Sequence, residues 1–66
     1  MTTLNRNQHN AIDDMLNVLE QAVLLGNYPK SKMLKLFRAY SRYGNSEATP
    51  ADMKLLTKIG NGGELE

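Results

Sequence analysis

The fold class follows from one stretch, residues 11–25, which reads AIDDMLNVLEQAVLL. Apolar side chains recur in it at spacings of three, four and seven residues, the period of an α-helix with one buried face. Polar residues occupy the opposite side, and the alternation typical of a strand does not occur. The pattern predicts a helix over residues 8–25, ended by Gly26. Its expected core stripe is Ile12, Met15, Leu16, Leu19, Ala22 and Val23.

A second helix is predicted over residues 30–43. Pro29 suits the start of a helix because its fixed φ is helical and the N–H that it lacks would have no partner there. Gly44 is expected to end the helix as a left-handed cap. The apolar spacing predicts a core stripe formed by Met33, Leu36, Phe37 and Tyr40.

A third helix is predicted over residues 50–59, and its start carries the clearest local signal in the chain, Thr49-Pro50-Ala51-Asp52. The Thr49 hydroxyl can accept a free backbone N–H at the helix start, and Pro50 is favoured at the first helical position. Asp52 complements the positive end of the helix dipole. The expected core residues are Met53, Leu56 and Ile59.

Three amphipathic helices joined by short loops predict a single all-α domain, a small three-helix bundle over residues 1–64. A chain of 66 residues without cysteine has a small core and no disulfides, so it is only marginally stable alone. We therefore expect self-association, in the simplest case a homodimer, or binding to a partner protein. Residues 65–66, Leu-Glu, are interpreted as an expression-tag remnant.

From the composition we expect that several functional classes do not apply to this protein. The longest apolar run is four residues, 22–25, and no signal-like segment opens the chain, so we expect a cytoplasmic protein without membrane contact. His9 is the only histidine, and with no cysteine we expect no metal and no cofactor. His9 and Asp13 are four residues apart, but nothing completes a catalytic site around them. We expect neither an enzyme nor a small-molecule substrate.

Charge is unevenly distributed although the formal net charge is only +1. Residues 27–44 contain five cations and no acid, whereas residues 10–26 contain three acids and no base. On a helix of 100° per residue, Lys35, Arg38 and Arg42 lie within about 60° of one another. They lie opposite the predicted core stripe of the second helix.

The residues predicted to contact phosphate or an acidic partner are Lys35, Arg38 and Arg42, with Lys32 and Tyr43 beside them. The alternative is a solvated face in weak ion pairs with the acids of the first helix.

A second candidate surface is the apolar flank of the first helix, formed by Ala11, Val18 and Leu25. Surplus apolar area on a small helical protein favours a partner or a second copy. The alternative is that the other two helices cover this flank.

Two functions remain open from sequence. The first is a non-enzymatic interaction or regulatory module that binds another protein through the apolar flank of the first helix and the basic face of the second. The second is a small nucleic-acid-binding regulator whose basic face contacts phosphates. A helix-turn-helix is disfavoured because residues 44–49 are longer than the usual turn of three or four residues.

Overall fold

The computed structural model describes residues 3–63, which fold into three α-helices. These are α1 (Arg6–Leu24), α2 (Lys30–Gly44) and α3 (Pro50–Gly60). The predicted all-α three-helix fold is confirmed, with helix boundaries that differ from those expected by no more than two residues. The proposed tag remnant at 65–66 lies outside the described residues.

Two of the helices begin with a reciprocal capping box. The Asn5 side chain accepts the N–H of Gln8, and the Gln8 side chain accepts the N–H of Asn5, both at 2.8 Å. Thr49 and Asp52 form the same pair of bonds at the start of α3, at 3.1 and 3.2 Å. The predicted Thr49 cap is thus confirmed. Each box satisfies two backbone donors that the helix itself leaves without partners.

All three helices end in a Schellman motif. A residue with positive φ follows each helix end, and the next N–H donates to the carbonyl five residues earlier, at 2.7 to 2.8 Å. The positive-φ residues are Gly26, Ser46 and Gly62, at 77°, 60° and 90°. The prediction that Gly44 is the left-handed cap is wrong. α2 continues through Gly44, so the left-handed conformation is displaced by two residues onto Ser46.

The core lies where the three helices meet, and α1 packs against both α2 and α3. Two of its buried residues, Leu4 and Ala39, belong to no predicted stripe. Leu4 precedes α1 and closes one end of the core. The buried hydrophobic residues are Leu4, Ile12, Leu19, Leu36, Ala39, Leu56 and Ile59.

The predicted core position of Phe37 is wrong, because its side chain is 54% exposed. The buried face of α2 is centred on Leu36 and Ala39, which are 0% and 1% exposed. Both the expected stripe and the observed one have helical spacing, and they differ by a rotation of α2 about its axis. The small side chain of Ala39 faces the other helices, and this rotation turns Phe37 out to the margin beside α1.

α1 and α3 approach closely at Gln8 and Gly60. A Cβ atom placed on Gly60 would lie 2.8 Å from Gln8 Cβ and 3.2 Å from Gln8 Cα, which is closer than van der Waals contact allows. The Gln8 side-chain amide also donates to Asn61 Oδ1 at 3.2 Å. Glycine at position 60 therefore permits the spacing of these two helices.

Candidate interaction surfaces

The first surface is a groove between α1 and α2, with a cavity of about 600 Å³. Its floor consists of the half-buried side chains of Leu16, Met33 and Leu34, and the exposed ring of Phe37 stands at its edge. Two carboxylates, Asp13 and Glu20, lie on the α1 side, and none of its described lining residues is a cation. We call this surface the α1–α2 groove; it is lined by Asp13, Leu16, Asn17, Glu20, Met33, Leu34 and Phe37.

The second surface is a groove between α2 and α3, with a cavity of about 350 Å³. Its charge is opposite, because four of the lining residues are cations and one is a carboxylate. The apolar lining residues, Ala51 and Leu55, lie on α3. We call this surface the α2–α3 groove; it is lined by Lys35, Arg42, Ala51, Asp52, Lys54, Leu55 and Lys58.

Arg42 and Asp52 form an ion pair in the α2–α3 groove. The guanidinium donates two hydrogen bonds to the carboxylate, at 2.6 and 2.7 Å. These bonds, with the N–H of Thr49, hold the pKa of the Asp52 carboxyl well below its usual range. The predicted phosphate contact by Arg42 stays a prediction, and its guanidinium is already engaged by an acid of α3 rather than of α1.

The other predicted cations divide between two positions on α2. Lys35 lines the α2–α3 groove with Arg42, so the structure brings these two together. Arg38 and Lys32 are exposed on α2 but are not among the described lining residues. The groove adds Lys54 and Lys58, which the sequence-based site omitted. Lys54 and Lys58 are four residues apart on α3 and lie away from its core positions. This spacing places them next to each other on one face of the helix, and it could have been recognised from sequence.

Tyr43 lies in the contact between α1 and α2, which corrects its expected place beside the cations. Its hydroxyl accepts the N–H of Leu4 at 3.0 Å, and its ring centroid is 5.6 Å from that of His9. Nδ1 of His9 is 2.9 Å from the Tyr40 hydroxyl. Burial and the nearby Asp13 carboxylate raise the pKa of Tyr40. This cluster joins the start of α1 to the end of α2.

The third surface is a groove between α1 and the end of α3, with a cavity of about 320 Å³. Ala11 and Val18 both line it, and Val18 is 63% exposed. Leu25, just beyond α1, is 74% exposed. The alternative in which the other helices cover this flank is therefore wrong for Val18 and Leu25. Their role as a partner surface stays a prediction.

Across residues 3–63, no three His, Cys, Asp or Glu side chains are placed so that they could hold one metal ion. Within the same range, none of the helices has both the length and the apolar character needed to cross a bilayer.

No protein-family model, no curated protein and no solved structure matches this chain. Its function is therefore inferred from the chemistry of its surface. Of the three grooves described above for residues 3–63, the α1–α2 groove has the largest cavity and an exposed aromatic side chain at its edge.

Proposed function

We propose that this protein is a non-enzymatic interaction module whose α1–α2 groove binds an amphipathic helix of a partner protein. The observation that carries the proposal is the exposure of Phe37 at the edge of an apolar groove. An exposed aromatic ring beside half-buried aliphatic side chains is typical of a protein-binding surface. A groove between two helices suits a third helix with apolar residues at i, i+3, i+4 and i+7.

Charge complementarity defines the partner further. Asp13 and Glu20 lie on one side of the groove and are seven residues apart, which corresponds to two turns or about 10 Å along α1. A docked helix with lysine or arginine residues two turns apart matches this spacing. The rim charges would orient the helix and speed its association, while apolar burial would supply most of the affinity. The proposed partner is therefore an amphipathic helix with basic margins.

The test is a chemical-shift titration of the labelled protein with a synthetic helical peptide. The probe is an 18-residue peptide with leucines at the four anchor spacings and lysines on both margins. We expect the largest shift changes at Leu16, Met33 and Phe37. A second peptide, with glutamate in place of lysine, should bind at least 10-fold more weakly. Equal affinity for the two peptides contradicts the proposed partner.

A matched pair of variants locates the binding site. Phe37→Ser should lower affinity for the basic peptide about 10-fold or more, since truncating an aromatic anchor of an interface commonly costs that much. Leu25→Ser removes another exposed apolar side chain outside the α1–α2 groove and should leave affinity unchanged. Equal losses in the two variants, or no binding, overturn the proposal. So does sedimentation that shows a dimer dispersed by Phe37→Ser, because the occupant is then a second copy.

A further inference from the structure

A second binding surface lies on the side of α3 that faces away from the core. The α2–α3 groove continues into a shallow cavity on α3, and Lys54 and Lys58 line both. Thr57 and Asn61 add a hydroxyl and an amide to this cavity. We call the combined surface the α3 face; it is defined by Lys35, Lys54, Thr57, Lys58 and Asn61.

The electrostatic potential of the α3 face is positive although the net charge of the chain is small. The carboxylate in its groove, Asp52, is buried and forms two hydrogen bonds with Arg42. The acids Asp13 and Glu20 lie instead on the α1–α2 groove. Among the described residues that line its two cavities, Asp52 is the only carboxylate and the other ionised side chains are cations, so the α3 face attracts anions.

The lack of exposed large apolar side chains on the α3 face favours nucleic acid over an acidic protein as its ligand. A stable protein interface needs an apolar centre, but the four large hydrophobic residues that are exposed within residues 3–63 lie outside the α3 face. They are Val18, Leu24, Leu25 and Phe37. Met53 and Leu55, which line its cavities, are half-buried and pack against the core. Phosphate binding requires only cations with hydroxyl or amide donors, which this face supplies.

We propose that the α3 face binds the sugar–phosphate backbone of a nucleic-acid duplex without regard to base sequence. Lys54 and Lys58 are one helical turn apart, about 6 Å, and Lys35 projects from the other wall of the groove. Cations from two helices can therefore contact successive phosphates of one strand. No aromatic residue is among the described lining residues, so the stacking platform that single-stranded nucleic acid requires is missing from this face.

The test is fluorescence anisotropy with a labelled 20-base-pair DNA duplex of mixed sequence and, in parallel, an RNA duplex of the same sequence. Binding to either supports the proposal, and the comparison assigns the source of the phosphates. With one phosphate contact for each of the three lysines of the α3 face, affinity should fall about 40-fold between 50 and 200 mM salt. Two duplexes of unrelated sequence should bind equally. No binding at 50 mM salt overturns the proposal.

Variants connect the binding to the proposed surface. Lys35→Ala and Lys54→Ala should each reduce the slope of log affinity against log salt by about 1. Lys30→Ala removes the same charge from the start of α2, outside the lining of the α3 face, and should leave the slope nearly unchanged. An equal effect of Lys30→Ala overturns the assignment. Circular dichroism of each variant checks that it is folded.

Two controls separate this proposal from others. Phe37→Ser should retain full duplex affinity, so a failure of the α1–α2 groove proposal leaves this one standing. Polyglutamate at equal charge concentration should displace the labelled duplex much less effectively than unlabelled duplex does. Equal displacement identifies a surface for acidic protein and overturns the proposal.

Discussion

Arg42 of α2 and Asp52 of α3 are joined by two hydrogen bonds, Nε to Oδ2 at 2.6 Å and Nη2 to Oδ1 at 2.7 Å. The same carboxylate accepts the N–H of Thr49 at the start of α3. One side chain therefore both caps α3 and fixes it against α2. Charged hydrogen bonds with this two-point geometry are directional, so the pair also constrains how the two helices are oriented.

The first prediction concerns the dependence of stability on acid. Because its partners lower the pKa of Asp52 in the folded state, the unfolded chain takes up a proton at higher pH than the folded chain does. The stabilisation is fully present above the unfolded pKa, about 3.9, and is lost as the pH falls through the folded value. Asp52→Asn should lower the melting temperature at pH 7 and make it less dependent on pH between 5 and 2.

Thermal melts followed by circular dichroism measure this effect. Asp14→Asn provides the matched control, since it removes a carboxylate that is exposed on α1. The control variant should keep the acid dependence of the parent. Parallel melting curves for the parent and Asp52→Asn would contradict the role assigned to the pair.

The local features of this region are predictable from sequence, but the long-range ones are not. The order Thr49-Pro50-Ala51-Asp52 is sufficient to predict a helix start, because capping involves only neighbours in the chain. The bond from Arg42 to Asp52 depends on which faces of α2 and α3 meet. That orientation is set by packing across the whole core.

The same distinction explains the candidate surfaces. The uneven charge of α2 is visible in sequence, whereas the position of Lys35 opposite Lys54 requires the relative rotation of two helices. The rotation is ambiguous because Phe37 and Ala39 each extend a stripe of helical spacing through Leu36. The structure buries Ala39, and this choice places Phe37 in the α1–α2 groove.

The second prediction concerns Ser46, which adopts a φ of 60° at the end of α2. The left-handed conformation costs a side-chain-bearing residue about 1 kcal/mol relative to glycine. Ser46→Gly should therefore raise the free energy of unfolding by about 1 kcal/mol, measured by urea denaturation. Gly26→Ala, at the equivalent position after α1, should lower it by a similar amount. A loss of stability in Ser46→Gly would contradict the strain assigned to this residue.

The third prediction tests the close approach of α1 and α3. Gly60→Ala places a methyl group within 3 Å of Gln8 Cβ and should lower the free energy of unfolding by about 1–3 kcal/mol. At Gly44 the same methyl group meets nothing within 4 Å. Gly44→Ala should be neutral or stabilising by up to about 1 kcal/mol, because alanine favours the helix. Similar effects of the two substitutions would contradict the close approach of α1 and α3 at Gln8.

The last prediction distinguishes the two orientations of α2. Leu36 is fully buried, so Leu36→Ala should lower the free energy of unfolding by about 2–5 kcal/mol through lost burial and the cavity it leaves. Phe37 is more than half exposed, and Phe37→Ala should cost less than about 1 kcal/mol. Urea denaturation of the two variants measures both values. If Phe37 belonged to the core, its truncation would cost about 3–5 kcal/mol. A loss of that size would show that the Phe37 ring is buried in the core, and the α1–α2 groove would then lack its proposed aromatic anchor. If Phe37 instead lies at the surface and contacts a partner, its truncation should lower the free energy of unfolding only slightly and should weaken the peptide complex.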